Sequence, residues 1–221
     1  MAILHLEWRR ANDPDSYEIE KREPAKGRRA RVLEISGDHI VFKGGATSLT
    51  TPLKTDHPWR VLADTEASAQ GALAFVQAFG FLRSRNAKEE PVSEVIEAID
   101  NMRDLLNLGA RQRWPEIAAW LERNARDNPF GGVGKLGLRF DLSGADGRPS
   151  VQFQPGSLLS ALYVQALLDM SEGVELKKCR LPGCLKWFAV GVPHGRRADA
   201  EYCSVKHQKQ HAYLIAKGEA K

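Results

Sequence analysis

Cysteine is scarce in this chain: 221 residues carry three, and none lies before position 179. So small and odd a count excludes a disulfide-stapled scaffold, which uses paired cysteines spread along a short secreted chain. Long apolar runs are also missing. No stretch reaches the roughly 18 to 20 apolar residues of a membrane span. Glu7, Arg9 and Arg10 stand where a signal peptide carries its apolar segment, so the expectation is a cytoplasmic protein with no membrane partner. Internal repeats and low-complexity segments are lacking. With 43% hydrophobic residues the composition is that of a folded globular chain, which excludes fibrous and disordered readings. Phosphate-binding loops are lacking as well. Gly44-Gly45-Ala46-Thr47-Ser48 has no following lysine, and Gly131-Gly132-Val133-Gly134 has no strand-turn-helix setting, so both read as turns.

Charge is present but unevenly spread. From Leu176 onward ten Lys and Arg face only Asp199, Glu201 and Glu219, a local +7 that leaves −3 upstream within the net +4. A basic end on a slightly acidic body is the asymmetry expected when one end meets a polyanion.

The hydrophobic pattern predicts an α+β chain: a mixed body of short N-terminal strands, helices and a β-hairpin, then a small C-terminal finger ending in a helix. Residues 1–62 read as β-rich. Leu4, Leu6 and Trp8 alternate, and Val32 to Ile35 pairs across Gly37-Asp38 with Ile40, Val41 and Phe42, while the charged stretch Glu18 to Arg31 reads as an exposed loop or edge. Residues 63–128 read as helical. Ala69, Ala72, Leu73, Val76 and Phe79 follow an Asp64 or Thr65 cap, Pro91 opens a second stripe from Val95 to Leu106 that Gly109 ends, and Trp114-Pro115 starts a third with Ile117, Trp120 and Leu121. Residues 129–173 read as a hairpin, Leu136 to Leu142 and Val151 to Phe153 around Ala145-Asp146-Gly147, then a Ser157-capped apolar helix to Met170. The body is thus expected to span 1–173 and the finger 174–221. A join this short predicts that the finger docks on the preceding helix.

All three cysteines fall in that finger, as Cys179-x4-Cys184 and Cys203-x3-His207. Three thiols and an imidazole form a complete ligand set for a closed tetrahedral zinc site. Pro182-Gly183 supplies the tight turn between the first two ligands, and helical spacing puts Cys203 and His207 on one face. His194 and His211 are alternative fourth ligands. Trp187, Phe188 and Tyr202 supply the small apolar cluster such a module needs beside its metal. Four filled positions leave no place for water, so the metal is expected to be structural and the chain not an enzyme.

The stretch from about Leu136 to Tyr213 resembles the C-terminal part of the CGNR zinc-finger proteins, bacterial regulators in which an ABATE domain precedes the finger. The shared features are the hairpin, the apolar helix, Cys179-x4-Cys184 before Trp187-Phe188, and Arg197 ahead of Tyr202-Cys203-Ser204 and a fourth ligand. Where that family has Cys-Gly-Asn-Arg, this chain has His207-Gln208-Lys209-Gln210. The resemblance implies DNA binding in transcription control. Arg196, Arg197, Lys206, Lys209 and Gln210 are then the expected nucleic-acid contacts, and the body is expected to dimerise or take a small-molecule effector.

Overall fold

The computed structural model describes residues 3–4, 8–22, 37–44, 46–50, 58–84, 86–127, 136–141, 150–184, 186–191 and 197–218. The architecture is α+β. Short strands β1 (Ile3–Leu4), β2 (Trp8–Ala11), β3 (Tyr17–Arg22), β4 (Gly37–Phe42) and β5 (Thr47–Thr50) lead into helices α1 (Pro58–Asp64) and α2 (Ala69–Phe79). Strand β6 (Glu89–Pro91) precedes α3 (Val92–Ala110) and α4 (Trp114–Asp127). The antiparallel pair β7 (Leu136–Asp141) and β8 (Ser150–Pro155) is followed by α5 (Leu158–Ser171), a second hairpin of β9 (Glu175–Lys178) and β10 (Trp187–Val190), and α6 (Val205–Ala216).

Helices α3 and α5 form the centre. Helix α3 buries Val92, Val95, Ala98, Ile99, Met102, Leu105 and Leu106, the stripe expected of an amphipathic helix. Helix α5 is apolar nearly all round because it is covered nearly all round: Leu158 to Val164 are buried without interruption. Ser157 caps it, its Oγ accepting from the Ser160 N–H at 3.0 Å. Gly109 matters for approach: a Cβ there would meet Met170 Sδ of α5 at 2.5 Å. The left-handed residue at the end of α3 is instead Gln112, at φ 53°. Its N–H donates to the Gly109 carbonyl at 2.9 Å, and the Arg113 N–H to that of Leu108 at 3.0 Å, a Schellman pattern built without glycine.

Three expectations are corrected. Gly37 and Asp38 lie inside β4, paired with Arg22 and Lys21, so they are no turn; β4 lies between β3 and β6, and the charged segment after Tyr17 takes the edge position, one of the two expected for it. Edge strands tolerate charge because one rim stays in water; Val32 to Ile35 fall outside the described residues. Asp64 is the last residue of α1, a helix of two turns that is too short to show a period, and the cap of α2 is Ser68, whose Oγ accepts from Gly71 N–H at 3.1 Å. Finally, the hairpin β9–β10 packs chiefly on α3 and α1, although its buried residues share one core with those of α5. The expected turns at 131–134 and 145–147 lie outside the described residues.

Candidate metal centre

Strand β10 is buried on both faces, and its alternation divides two cores. Trp187 and Ala189, with Leu176 of β9, join the hydrophobic core of the body. Phe188 and Val190 point the other way and pack with Cys179, Leu181, Cys184, Ala200, Tyr202, Cys203 and Leu214. Period two in a strand makes this inevitable once one face is docked. Trp187 therefore anchors the hairpin to the body instead of joining the cluster around the ligands as expected. The anchor has a polar component: its backbone N–H donates to Asp64 Oδ1 at 2.8 Å, at the end of α1. Burial pushes the Asp64 carboxyl up to about 6, against that N–H and the cations Lys186, Arg60 and Arg103.

Beyond β9 the chain turns sharply. Gly183, at φ 79°, follows Pro182, and the Cys184 N–H closes the turn on the Leu181 carbonyl at 3.0 Å, the type II arrangement that needs glycine third. This brings Cys184 back beside Cys179. The second pair comes from the start of α6, where Ser204 is the N-cap and its Oγ accepts from the His207 N–H at 3.1 Å. Cys203 thus precedes the helix and His207 sits in its first turn, so the two converge across the cap and not along a helical face. Two ties hold this segment against the first knuckle. Arg180 N–H donates to the Glu201 carbonyl at 3.0 Å while its guanidinium meets the Glu201 carboxylate at 2.8 Å, and Lys177 Nζ donates to the Ala198 carbonyl at 2.6 Å. No feature of the sequence pointed to those two ties, because they join residues 21 apart.

Cys179, Cys184, Cys203 and His207 converge so closely that their ligand atoms all lie within 4.8 Å of one another. Zinc bonds of about 2.3 Å to sulfur and 2.0 Å to nitrogen, arranged tetrahedrally, place sulfurs about 3.8 Å apart and sulfur about 3.5 Å from nitrogen. Cys184 and Cys203 Sγ are 3.9 Å apart, and Cys179 Sγ is 3.6 Å from His207 Nδ1. The Cys203 Sγ to His207 Nδ1 edge is shorter, at 3.1 Å. The four side chains form a group able to hold a metal ion, and among the described residues no other His, Cys, Asp or Glu group does.

The crowded thiols perturb one another. Burial pushes the Cys203 thiol up to about 12, and the Cys179 and Cys184 sulfurs beside it add to the rise. Burial also acts upward on Cys179, but the backbone N–H groups of Cys203 and Leu181, with the His207 and Cys203 side chains, outweigh it and bring that thiol down to about 7. Three thiolates at this spacing repel one another, and a divalent ion among them removes the penalty.

The remaining histidines separate cleanly. His211, 2% exposed, is hydrogen-bonded through Nδ1 to the Tyr202 hydroxyl at 2.9 Å and packs on that ring, outside the ligand group. His194 lies outside the described residues, as does Arg196. Of the expected nucleic-acid contacts, Lys206, Lys209 and Gln210 are exposed on α6. Arg197 is exposed on the preceding loop and paired with Asp199 at 3.2 Å, lining with Ser204 and Gln208 a groove of about 460 Å³. No helix among the described residues is long and apolar enough to cross a membrane. Compared with models of known protein families and with curated proteins, the chain matches none.

Proposed function

We propose that this chain is a zinc protein whose C-terminal module binds nucleic acid, with DNA the expected partner and transcription control the role. The observation that carries the reading is the position of the ligand group: it straddles the N-terminus of α6, and that helix presents lysine and glutamine to solvent with no acidic residue in it. A metal at this point acts as a cross-link that starts the helix and fixes it against the body.

Zinc is the metal best suited to three thiolates and an imidazole at tetrahedral spacing. Cys179, Cys184, Cys203 and His207 would hold it, and all four positions are then taken by protein. The ion supplies folding energy, and we assign the chain no enzymatic activity. The likeness to CGNR zinc fingers supports the same reading, with His207 in place of the family's last cysteine. Lys206 and Lys209 on the helix and Arg196 and Arg197 on the loop are the phosphate contacts, and Gln210 a base contact. In this reading the body serves dimerisation or takes a small-molecule effector.

Binding of the zinc-loaded chain to labelled DNA at several salt concentrations tests the proposal. Lys206→Ala and Lys209→Ala should each weaken binding and reduce the salt slope by about 0.9 on duplex DNA while the zinc content stays constant. Binding that is absent at low salt, or indifferent to both variants, favours the second reading, a zinc-stabilised protein-interaction module. The exposed Val205 and Ile215, on the other flank of α6, favour that alternative.

A further inference from the structure

We infer that Tyr213 is a stacking platform and that the nucleic acid this module holds offers unpaired bases; the inference rests on the nucleic-acid reading above. Helix α6 buries a narrow face: His211 is buried, and His207 and Leu214 are half-buried. At 100° per residue, Lys206, Lys209, Gln210, Tyr213 and Lys217 fall within an arc of about 100° that avoids this face. Tyr213 stands in the middle of that arc and is 58% exposed. Its neighbours one turn before are Lys209 and Gln210, two turns before Lys206, and one turn after Lys217. All four are exposed.

No apolar neighbour on this stripe shields the ring, and Tyr213 is not among the side chains of either core. One contact is defined: the Lys217 ammonium lies 4.8 Å from the ring centroid. That cation lies over the ring, and more than half of the tyrosine remains open to solvent. Phosphate contacts are made by the cations themselves and give the half-exposed ring of Tyr213, in the third turn of the helix, no partner. A strand with unpaired bases uses both parts, its phosphates on the lysines and a base on the ring. From Lys206 to Lys217 the stripe runs about 16 Å, enough for roughly three nucleotides of an extended strand. In paired DNA the bases are already stacked on one another, and the ring gains no such partner.

The experiment is fluorescence anisotropy with the full zinc-loaded chain, a labelled mixed-sequence single-stranded oligodeoxynucleotide and the same sequence as a duplex. The expected result is preferential binding of the single strand, with a log–log salt slope to which the three lysines contribute about −2 and the loop arginines the rest. Tyr213→Ala should weaken single-strand binding by roughly tenfold to a hundredfold and leave the duplex nearly unaffected, while Tyr213→Phe keeps most of the affinity. Zinc content of each variant, measured alongside, separates a binding loss from an unfolded module. A duplex bound as well as the strand and indifferent to Tyr213→Ala overturns the stacking inference and leaves the nucleic-acid reading standing. So does a Tyr213→Phe variant as weak as Tyr213→Ala, because the ring's hydroxyl is then the contact. Failure to bind either oligonucleotide at low salt removes both.

Discussion

Phe188 and Trp187 are adjacent in sequence and both buried, yet they should fail in different ways. Phe188 packs only in the cluster around the metal ligands, whereas Trp187 packs in the core of the body. Truncating a buried phenylalanine to alanine costs about 3–5 kcal/mol, the lost transfer free energy plus a cavity that neighbours only partly fill. In Phe188→Ala that cost falls on the small module which, under the zinc proposal, folds together with its metal, so it should appear as metal affinity: at 1.4 kcal/mol per decade, a loss of about two to three and a half orders of magnitude. Trp187→Ala carries a similar cost, on the body. The assay is zinc competition against a chromophoric chelator, run beside thermal melting of the body by far-ultraviolet circular dichroism. Phe188→Ala should bind zinc far more weakly with a nearly unchanged melt of the body. Trp187→Ala should melt lower by several degrees, with a smaller effect on zinc. Equal effects of both variants on both readouts, or the reverse assignment, would refute the division of β10 between two cores.

Two further outcomes follow from the body. Gln112→Gly relieves a non-glycine left-handed residue in the Schellman turn after α3 and should stabilise by about 0.5–1 kcal/mol in chemical denaturation, whereas Gln112→Ala should give no gain. Glu90 is buried, and its two carboxylate oxygens accept from the Leu82 and Arg83 N–H groups at 2.9 and 3.1 Å. Burial pushes it up to about 7, against those two N–H groups. A folded pKa above the unfolded value of about 4.3 means that the stabilisation is whole below pH 4 and is lost as pH rises through 7. Glu90→Gln should therefore gain stability relative to the parent chain between pH 5 and pH 8, and a pH-independent difference between the two would contradict the assignment.

The helices of the body were legible because long amphipathic stripes carry their own period. Of the seven buried apolar positions of α3, the stripe from Val95 to Leu106 already held Val95, Ile99, Met102, Leu105 and Leu106, while Val92 and Ala98 joined it only in the structure. The pairing of β7 with β8 was legible for a similar reason, through alternation on both sides of a turn. The ligand set was also readable, since clustering of every cysteine beside a Pro-Gly turn has few other uses. What escaped depended on distant partners. Trp187-Phe188-Ala189-Val190 is an unbroken apolar run, and only docking on α1 and α3 decides which residues face the body. Asp64 looked like a cap because its local context suits one; its role as acceptor for Trp187 arises from a residue 123 positions away. Tyr213 was passed over because a lone tyrosine on a short helix has no pattern until its exposure and the placement of Lys217 are known.

X-ray absorption of the zinc-loaded chain tests the central claim most directly, because it counts the donors without depending on any activity. The arrangement of Cys179, Cys184, Cys203 and His207 predicts one zinc per chain with three sulfurs at about 2.3 Å and one nitrogen at about 2.0 Å, the nitrogen lost in His207→Ala and kept in His194→Ala. A shell dominated by oxygen, a nitrogen that survives His207→Ala, or a chain whose module folds fully without metal would contradict it.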